Sequence, residues 1–546
     1  MKRLITLIVG VLCTAPWSVR AQFDDAAAAQ LQKLVQAYRY VDAAYVDSLD
    51  TAPLVEEAIR GMLTRLDPHS AYLSEEEMKG VDESFDGSFG GIGIEFNVLN
   101  DTVVIVNTIA GGPSAQVGLL PGDRIVGIDG QRAVGLSRAE VPKRLRGPSG
   151  TQVRLEVSRH AVKEPLAFTV TRGDIPLHTV DAAYKVDAET GYIKVNRFGR
   201  TTMQEFVEAF KGMKGVRSLI LDLRGNGGGL LDQAVAMANF FLPRGSRIVS
   251  TEGRAVPPRA YTAPVDGAFL RGPVVVLIDE NSASASEIVA GALQDLDRAV
   301  LIGQRSFGKG LVQSPRPLGY NAMLKLTTAK YYIPSGRCIQ AIDYSHSQEG
   351  SVRAVPDSLI SEFTTRAGRK VYDGGGVMPD IATDPEYISR FALTLYALGF
   401  IEDFGDEYTR RNPGRQIDIR TFSITDKDYA DFAEFMQDKK VPYESDTRRA
   451  LKALKKAAED DRFADLKNKF EQVEAELKDD TQTNLETYRT QVVETINNDI
   501  VMRHGYQAGV IEHSLSGDKE VKKAVEVLGD PAEYARITRE QDTKRK

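Results

Sequence analysis

Sulfur and imidazole are scarce in this 546-residue chain, which has two cysteines (Cys13 and Cys338) and six histidines. Two thiols cannot build a disulfide framework or a thiolate zinc site. The histidines are scattered as His69, His160, His178, His346, His504 and His513, and none stands in an HExxH arrangement. The common zinc-hydrolase motif is therefore excluded. A basic excess is also missing. Lys and Arg total 69 against 76 Asp and Glu, a net charge of −7, which gives no support to a nucleic-acid partner. Beyond residue 13 no apolar run is long enough to span a bilayer. What remains is ordinary globular composition, 42% hydrophobic and 27% charged, in a chain too long for a single core. About three or four domains are expected.

The N-terminus carries a targeting pattern. Met1-Lys2-Arg3 precedes the apolar run Leu4 to Cys13, and small residues at −3 and −1 (Val19-Arg20-Ala21) suit cleavage after Ala21. A membrane anchor is the alternative, but roughly ten apolar residues fall short of the about 20 a span needs. Lipidation at Cys13 is disfavoured by the bulky Leu12 before it. The segment 1–21 is read as a signal peptide and the mature chain as exported and periplasmic.

Four grammars follow along the chain. Residues 22–84 are helical, with Leu34, Tyr38, Val41 and Tyr45 on one stripe and Val55, Ile59, Met62 and Leu66 on a second. Residues 85–173 hold short β runs between Gly and Pro turns, among them Ile94 to Phe96, Val103 to Val106, Arg124 to Ile128 and Val153 to Val157. One helix, Glu140 to Leu145, interrupts them. Residues 174–382 alternate strands (Gly191–Val195, Ser218–Leu223, Val274–Ile278) with helices (Met203–Met213, Leu231–Leu242, Ser286–Leu296), which predicts an α/β core with parallel pairing. Residues 383–546 are charged and helical, as in Thr447 to Lys478, with faces read as solvated and no β signal.

Three motifs in the α/β segment can carry chemistry. Asp222-Leu223-Arg224-Gly225-Asn226-Gly227-Gly228-Gly229 follows a strand and opens a helix, so its amides can converge on a phosphate or an oxyanion. Gly303-Gln304-Arg305-Ser306-Phe307-Gly308-Lys309-Gly310 nearly matches a P-loop. Gly310, however, stands where a hydroxyl is required, and Pro315 and Pro317 break the helix that should follow. Nucleotide binding is disfavoured. Asn281-Ser282-Ala283-Ser284-Ala285-Ser286 follows a strand, and any of its serines could cap the next helix. Ser284 lies where a nucleophile would face the helix N-terminus. A serine needs an adjacent base, and the chain contains no GxSxG elbow and no histidine in its glycine-rich α/β segments. A lysine serves if burial keeps its amine neutral. Lys309 is the best candidate, with Phe307 and Leu311 expected to make its surroundings apolar.

The stretches Asn281 to Asp295 and Gly303 to Gln313 closely resemble the carboxyl-terminal processing peptidases, or tail-specific proteases. So do Leu66 to Leu73, Asp222 to Gly229 and Gly375 to Asp380. The resemblance covers roughly residues 30 to 382. It implies a Ser/Lys dyad in a serine-type endopeptidase, and the family spacing selects Ser284, 25 residues before Lys309, with Gln313 positioning the lysine. It implies an oxyanion hole from the N–H groups of Ala285 and Gly229, the choice among Gly227, Gly228 and Gly229 being open. The β segment resembles a PDZ domain, whose tail-binding loop maps onto Gly91-Ile92-Gly93-Ile94, with Pro121 to Ile125 as the turn and strand after its first helix. PDZ domains capture a free C-terminus by strand addition.

The fold class that results is multidomain, α+β and α/β. A helical N-terminal region and a PDZ-like β domain inserted in a peptidase core of the ClpP/crotonase-like type are followed by a helical C-terminal domain. The function implied is cleavage of exported proteins recognised by exposed C-terminal tails, with no metal or organic cofactor and no nucleic acid. The C-terminal helices are expected to mediate self-association or bind a regulatory adaptor. The rival reading is a PDZ scaffold with an inert core, against which Ser284, Lys309 and Gln313 all stand intact.

Overall fold

The computed structural model describes residues 25–99, 101–109, 111–159, 162–319, 321–344, 353–354, 360–477 and 480–538. The signal-like segment 1–21 with Cys13, His160 and His346 lie outside them. The chain divides into two units at Pro68 and His69. The first holds α1 (Asp25–Ala44) and α2 (Thr51–Leu63), the latter capped by the Asp50 carboxylate on the Ala52 N–H. Tyr45 and Leu66 lie just past their ends.

The second unit begins with β1 (Ala71–Leu73) and α3 (Glu75–Asp86), a helix started by a capping box between Ser74 and Glu77. The sequence reading groups residues up to 84 with the N-terminal helical region. Instead β1 pairs with the long strand β18 (Met323–Tyr332), a partner about 250 residues away that no local pattern reveals.

The β domain is entered and left through β2 (Ser88–Gly91), whose partner is β9 (Gly173–Pro176). Between them β3 (Ile94–Leu99), β4 (Thr102–Thr108), β5 (Arg124–Ile128), β6 (Gln131–Arg132), β7 (Gln152–Ser158) and β8 (Leu166–Thr171) form one sheet. Its order is β3-β4-β5-β7-β8, with β6 on β5. A short helix, α4 (Pro113–Gln116), precedes the Pro121–Gly122 turn. The second helix, α5 (Glu140–Leu145), falls where the sequence places it. Alternation along Gln152–Ser158 is complete, apolar side chains inward and polar ones outward, as a half-buried antiparallel strand requires.

The α/β core has the expected parallel pairing. β10 (Val180–Lys185) is an antiparallel edge, followed in space by β11 (Thr190–Val195), β12 (Ser218–Asp222), β15 (Val274–Ile278), β16 (Val300–Gly303) and the short strand Ile381–Ala382, all parallel. That last strand lies at the very end of the segment 174–382, past the strands read from the sequence. Two residues are too few to show a pattern. α6 (Thr202–Gly212), α7 (Leu231–Phe240) and α8 (Ala285–Asp295) connect them, and every residue of α8 is buried. A second, antiparallel sheet holds β1, β18 (Met323–Tyr332), β13 (Arg247–Gly253) and β14 (Val256–Thr262), with β17 (Leu311–Pro317) on β18. The prolines that ruled out a P-loop helix sit on β17, which has one partner strand, where prolines are tolerated.

Beyond Ser389 the described residues are helical: α9 (Arg390–Ala397), α10 (Phe400–Arg411), α11 (Asp426–Phe435), α12 (Asp446–Asp460), α13 (Lys467–Glu476), α14 (Thr481–Thr487), α15 (Arg489–Ser514), α16 (Lys519–Gly529) and α17 (Pro531–Thr538). The stretch read as helical from Thr447 is two helices, broken near Arg462 at φ 65°. α9 to α11, α14 and most of α15 share a core of Phe391, Phe404, Phe432, Val492 and Ile500. The last helices do something else. Ile511, Val521, Ala524, Val527 and Leu528 pack on Tyr192, Ile220, Val275, Leu277, Val300 and Ile302, one face of the parallel sheet. Parallel sheets are covered on both faces. Here α7 and α8 lie in the core that contains Leu219, Leu221 and Val276 on the opposite face.

Ile302 is fully buried at the junction of β16 and the final helices. Ile302→Ala is expected to lower stability by about 2–5 kcal/mol, read as a shifted urea midpoint of the peptidase transition with unchanged m-value.

Candidate active site

Three loops leave the C-terminal ends of β12, β15 and β16, the place where open α/β sheets bind ligands. The β15 loop presents the three serines, and the structure separates them. Ser282 is fully buried and its hydroxyl donates to the Leu223 carbonyl at 2.8 Å. Ser286, also fully buried, donates to the Asn226 carbonyl at 2.8 Å. Both hold the β15 loop against the glycine loop. Ser284 caps α8 with φ 55° and ψ −110°, a conformation that costs a non-glycine residue about 1–3 kcal/mol. It borders a cavity of about 710 Å³.

That cavity gathers the sequence-derived site residues. Ser284, Ala285, Lys309, Gln313, Gly227, Gly228 and Gly229 all line it. Gln313 is held by Thr327 of β18, its side-chain amide donating to the threonine hydroxyl at 3.1 Å. Leu311 lines the cavity as expected, whereas Phe307 does not. Phe307 is 47% exposed, and its N–H donates to the Ser282 carbonyl at 3.0 Å. The apolar lining of the cavity that Lys309 borders comes instead from Leu231, Ile288, Leu311 and Val312, and from Met78, Val81 and Phe85 of α3. The tail-binding candidates Gly91, Ile92, Gly93 and Ile94 lie apart from this cavity, at the start of β3 in the β domain. Gly93 there has φ 73°, and its carbonyl accepts from the Ile109 N–H at 3.0 Å.

Two buried groups tie the serine loop to the lysine loop. Glu287, in the first turn of α8, is completely buried and accepts four hydrogen bonds. Its Oε2 takes the N–H of Ser284 at 2.7 Å and of Lys309 at 2.9 Å, and its Oε1 takes the Ser306 hydroxyl at 2.5 Å and the Gly308 N–H at 2.7 Å. Burial pushes the Glu287 carboxyl up to about 7, although the four hydrogen bonds favour its ionised form. The second tie is Tyr331 of β18. Its hydroxyl sits between the Ser284 carbonyl, at 3.1 Å, and the Lys309 carbonyl. The Gly375–Asp380 motif supports the same loop from behind. Val377 N–H donates to Ser306 Oγ at 2.7 Å, and Ser306 N–H donates to the Val377 carbonyl at 3.1 Å.

The glycine loop closes the site. Gly228 adopts φ 99°, and a Cβ there would stand 2.8 Å from the Ser284 Cβ and 2.7 Å from the Ala283 carbonyl. Only glycine permits this approach. The Gly228 N–H is bound to Asn226 Oδ1 at 2.9 Å, which withdraws it from the three oxyanion candidates and leaves Gly227 and Gly229. Gly229 bridges Phe198 in a backbone pair and has φ 146°. At the root of the loop, Asp222 is fully buried and bonded by Arg224 and by the Tyr192 hydroxyl at 2.7 Å. Burial opposes its ionisation, but the Arg224 and Lys194 charges outweigh this and hold its carboxyl well below the usual carboxylate range.

The chain is similar in sequence to known proteins over these segments. The model of peptidase family S41 matches residues 189–346, a PDZ model matches 104–159, and a model of the C-terminal helical domain of PDZ-proteases matches 391–528. The N-terminal domain of the activating protease CtpB matches 15–77. The carboxy-terminal-processing protease of Bartonella bacilliformis is 40% identical over 354 residues, covering 63% of this chain and 81% of that protein. Carboxy-terminal processing protease CtpB of Bacillus subtilis is 33% identical over 331 residues, 60% of this chain and 69% of its own. Among solved structures, the photosystem II D1 C-terminal processing protease is 28% identical, with a TM-score of 0.36 over 65% of this chain and 93% of that one. With this cavity, these loops and relatives of such identity, the chain belongs to peptidase family S41. It is an enzyme, a serine peptidase with a PDZ domain and a C-terminal helical domain.

Two consequences are testable. Gly228→Ala forces a methyl against Ser284 and is expected to lower kcat at least tenfold, about 1.4 kcal/mol or more in the barrier, while the protein remains folded by circular dichroism. Burial raises the Glu287 carboxyl to about 7, so it gains its proton as pH falls through that value, and only the anion has acceptor capacity for all four donors. If Lys309 must also lose a proton, log kcat is expected to fall with a slope near two at low pH. A stopped-assay pH profile with a slope of one would count against the Glu287 contribution.

Proposed function

We propose that this peptidase is an exported endopeptidase that takes substrates by their C-terminal tails and cuts them with Ser284 as nucleophile and Lys309 as general base. One observation carries the reading: the serine and lysine backbones are tied to each other twice, through Glu287 and through Tyr331, on the wall of one largely apolar cavity. The apolar wall favours the neutral amine. Neutral Lys309 takes the proton of the Ser284 hydroxyl as its oxygen attacks the scissile carbonyl. The developing oxyanion is met by backbone N–H groups, those of Ala285 at the start of α8 and of Gly229, each donor worth about 3–4 kcal/mol. Protonated Lys309 then gives its proton to the leaving amine, and water releases the acyl group. Gln313, held by Thr327, lines the same cavity as Lys309, and its role in this reading is to orient the lysine.

Tail capture falls to the PDZ domain. β3 is an edge strand whose partner is β4, so a peptide can add to its other side as a further strand. The turn Gly91-Ile92-Gly93-Ile94 at the start of β3 receives the terminal carboxylate. The leader-like residues 1–21 support export to the periplasm.

Ser284→Ala and Lys309→Ala are each expected to abolish cleavage of an unfolded protein with an exposed tail. Both should leave calorimetric binding of a tail peptide unchanged. Cleavage at the wild-type rate by Ser284→Ala would refute the dyad.

A further inference from the structure

The glycine loop and the lysine loop spring from β12 and β16, with β15 between them in the sheet. One carboxylate from the C-terminal helical segment reaches both. Glu520, at the start of α16, is 5% exposed. Its Oε2 accepts from Arg224 Nη1 at 2.6 Å, and its Oε1 accepts from the Gln304 side-chain amide at 2.6 Å and from the Thr383 hydroxyl at 2.7 Å. Arg224 opens the glycine loop and Gln304 opens the lysine loop. Each stands five residues before the group proposed to act, Gly229 and Lys309.

The carboxylate is held firmly. Asp518 caps α16, accepting from the N–H groups of Glu520 at 2.9 Å and Val521 at 3.0 Å, and also pairs with Arg224 at 2.7 Å. One turn on, Val521, Ala524, Val527 and Leu528 are anchored on the sheet face. Glu520 thus cannot follow either loop independently. It spans the C-terminal edge of the sheet across the end of β15, the strand that leads to Ser284.

We propose that Glu520 is a positioning residue for the reaction, through which the C-terminal helical segment fixes the oxyanion loop and the lysine loop in one register. The inference rests on the Ser284/Lys309 reading. It assigns to this segment a part in catalysis beyond covering the sheet.

The test is steady-state kinetics of the full-length chain on a tail-bearing peptide, with Ser284→Ala as reference. Glu520→Ala is expected to lower kcat about tenfold with KM within about twofold, because loop register affects the transition state more than tail capture. Glu520→Gln keeps one oxygen acceptor and should recover part of that loss. Gln304→Leu should lower kcat similarly, and the double variant Glu520→Ala/Gln304→Leu should lose no more than the worse single variant, the sign of one shared element. A lower melting temperature with wild-type kcat in Glu520→Ala would overturn the proposal and leave Glu520 purely structural. If Glu520→Ala does not fold, Gln304→Leu decides: a tenfold loss of kcat supports the proposal and full kcat overturns it. An active Ser284→Ala would overturn the dyad reading and this inference with it, whereas an inactive Ser284→Ala beside a fully active Glu520→Ala overturns the inference alone.

Discussion

Glu287 lies buried in the first turn of α8 with four donors on two oxygens, and two of those donors are the backbone amides of Ser284 and Lys309. A carboxylate in such a place is stable only while every donor stays on it. Any drift of the lysine loop from the serine turn would leave buried charge or buried N–H groups unpaired. The positive φ of Ser284 is maintained by the same contact, since the Ser284 N–H is anchored to the helix it precedes. Tyr331 repeats the restraint on the carbonyl side from the antiparallel sheet. Two loops from different strands are therefore bound to the same two buried side chains at the cavity wall, the kind of preorganisation that electrostatic catalysis depends on.

The rest of the molecule is arranged around that constraint. The short Ala285, Ala290, Gly291 and Ala292 side chains of α8 suit a helix enclosed on all sides. The opposite face of the parallel sheet receives helices from the far end of the chain, so the α/β fold is complete only when residues beyond 511 have docked. The PDZ domain leaves and rejoins the peptidase through one two-stranded ribbon, β2 with β9. A peptide module can thus be carried on the core without interrupting the central sheet.

Much of this was legible in the sequence, for reasons of period and chemistry. Strands alternating with helices, such as Val274–Ile278 before Ser286–Leu296, read as a parallel α/β core, and short β runs between Gly and Pro turns read as a small β domain that resembles a PDZ module. Glycines clustered beyond what a turn needs marked the loop after β12. The omissions share a cause: they depend on long-range burial. Met78, Val81 and Phe85 line the cavity because β1 pairs with β18, and nothing near residue 78 encodes that pairing. Glu520 sits in a Lys- and Glu-rich helix that reads as solvated, and its burial is conferred by Arg224, Gln304 and Thr383. Phe307 erred in the other direction, an aromatic two residues before the lysine that is half exposed rather than part of the cavity wall. Glu287 could have been found. Ser284-x-x-Glu287 fits the capping-box pattern, and testing each serine of the turn for a glutamate three residues on singles out Ser284.

The most direct test of the coupled serine and lysine is chemical. A fluorophosphonate that phosphonylates activated serines with loss of fluoride, followed by peptide mass spectrometry, locates the nucleophile and times its reaction. The account predicts label on Ser284 alone, at a rate that rises with pH and is lost in Lys309→Ala. Label on Ser282 or Ser286, or an unchanged rate in Lys309→Ala, would contradict it.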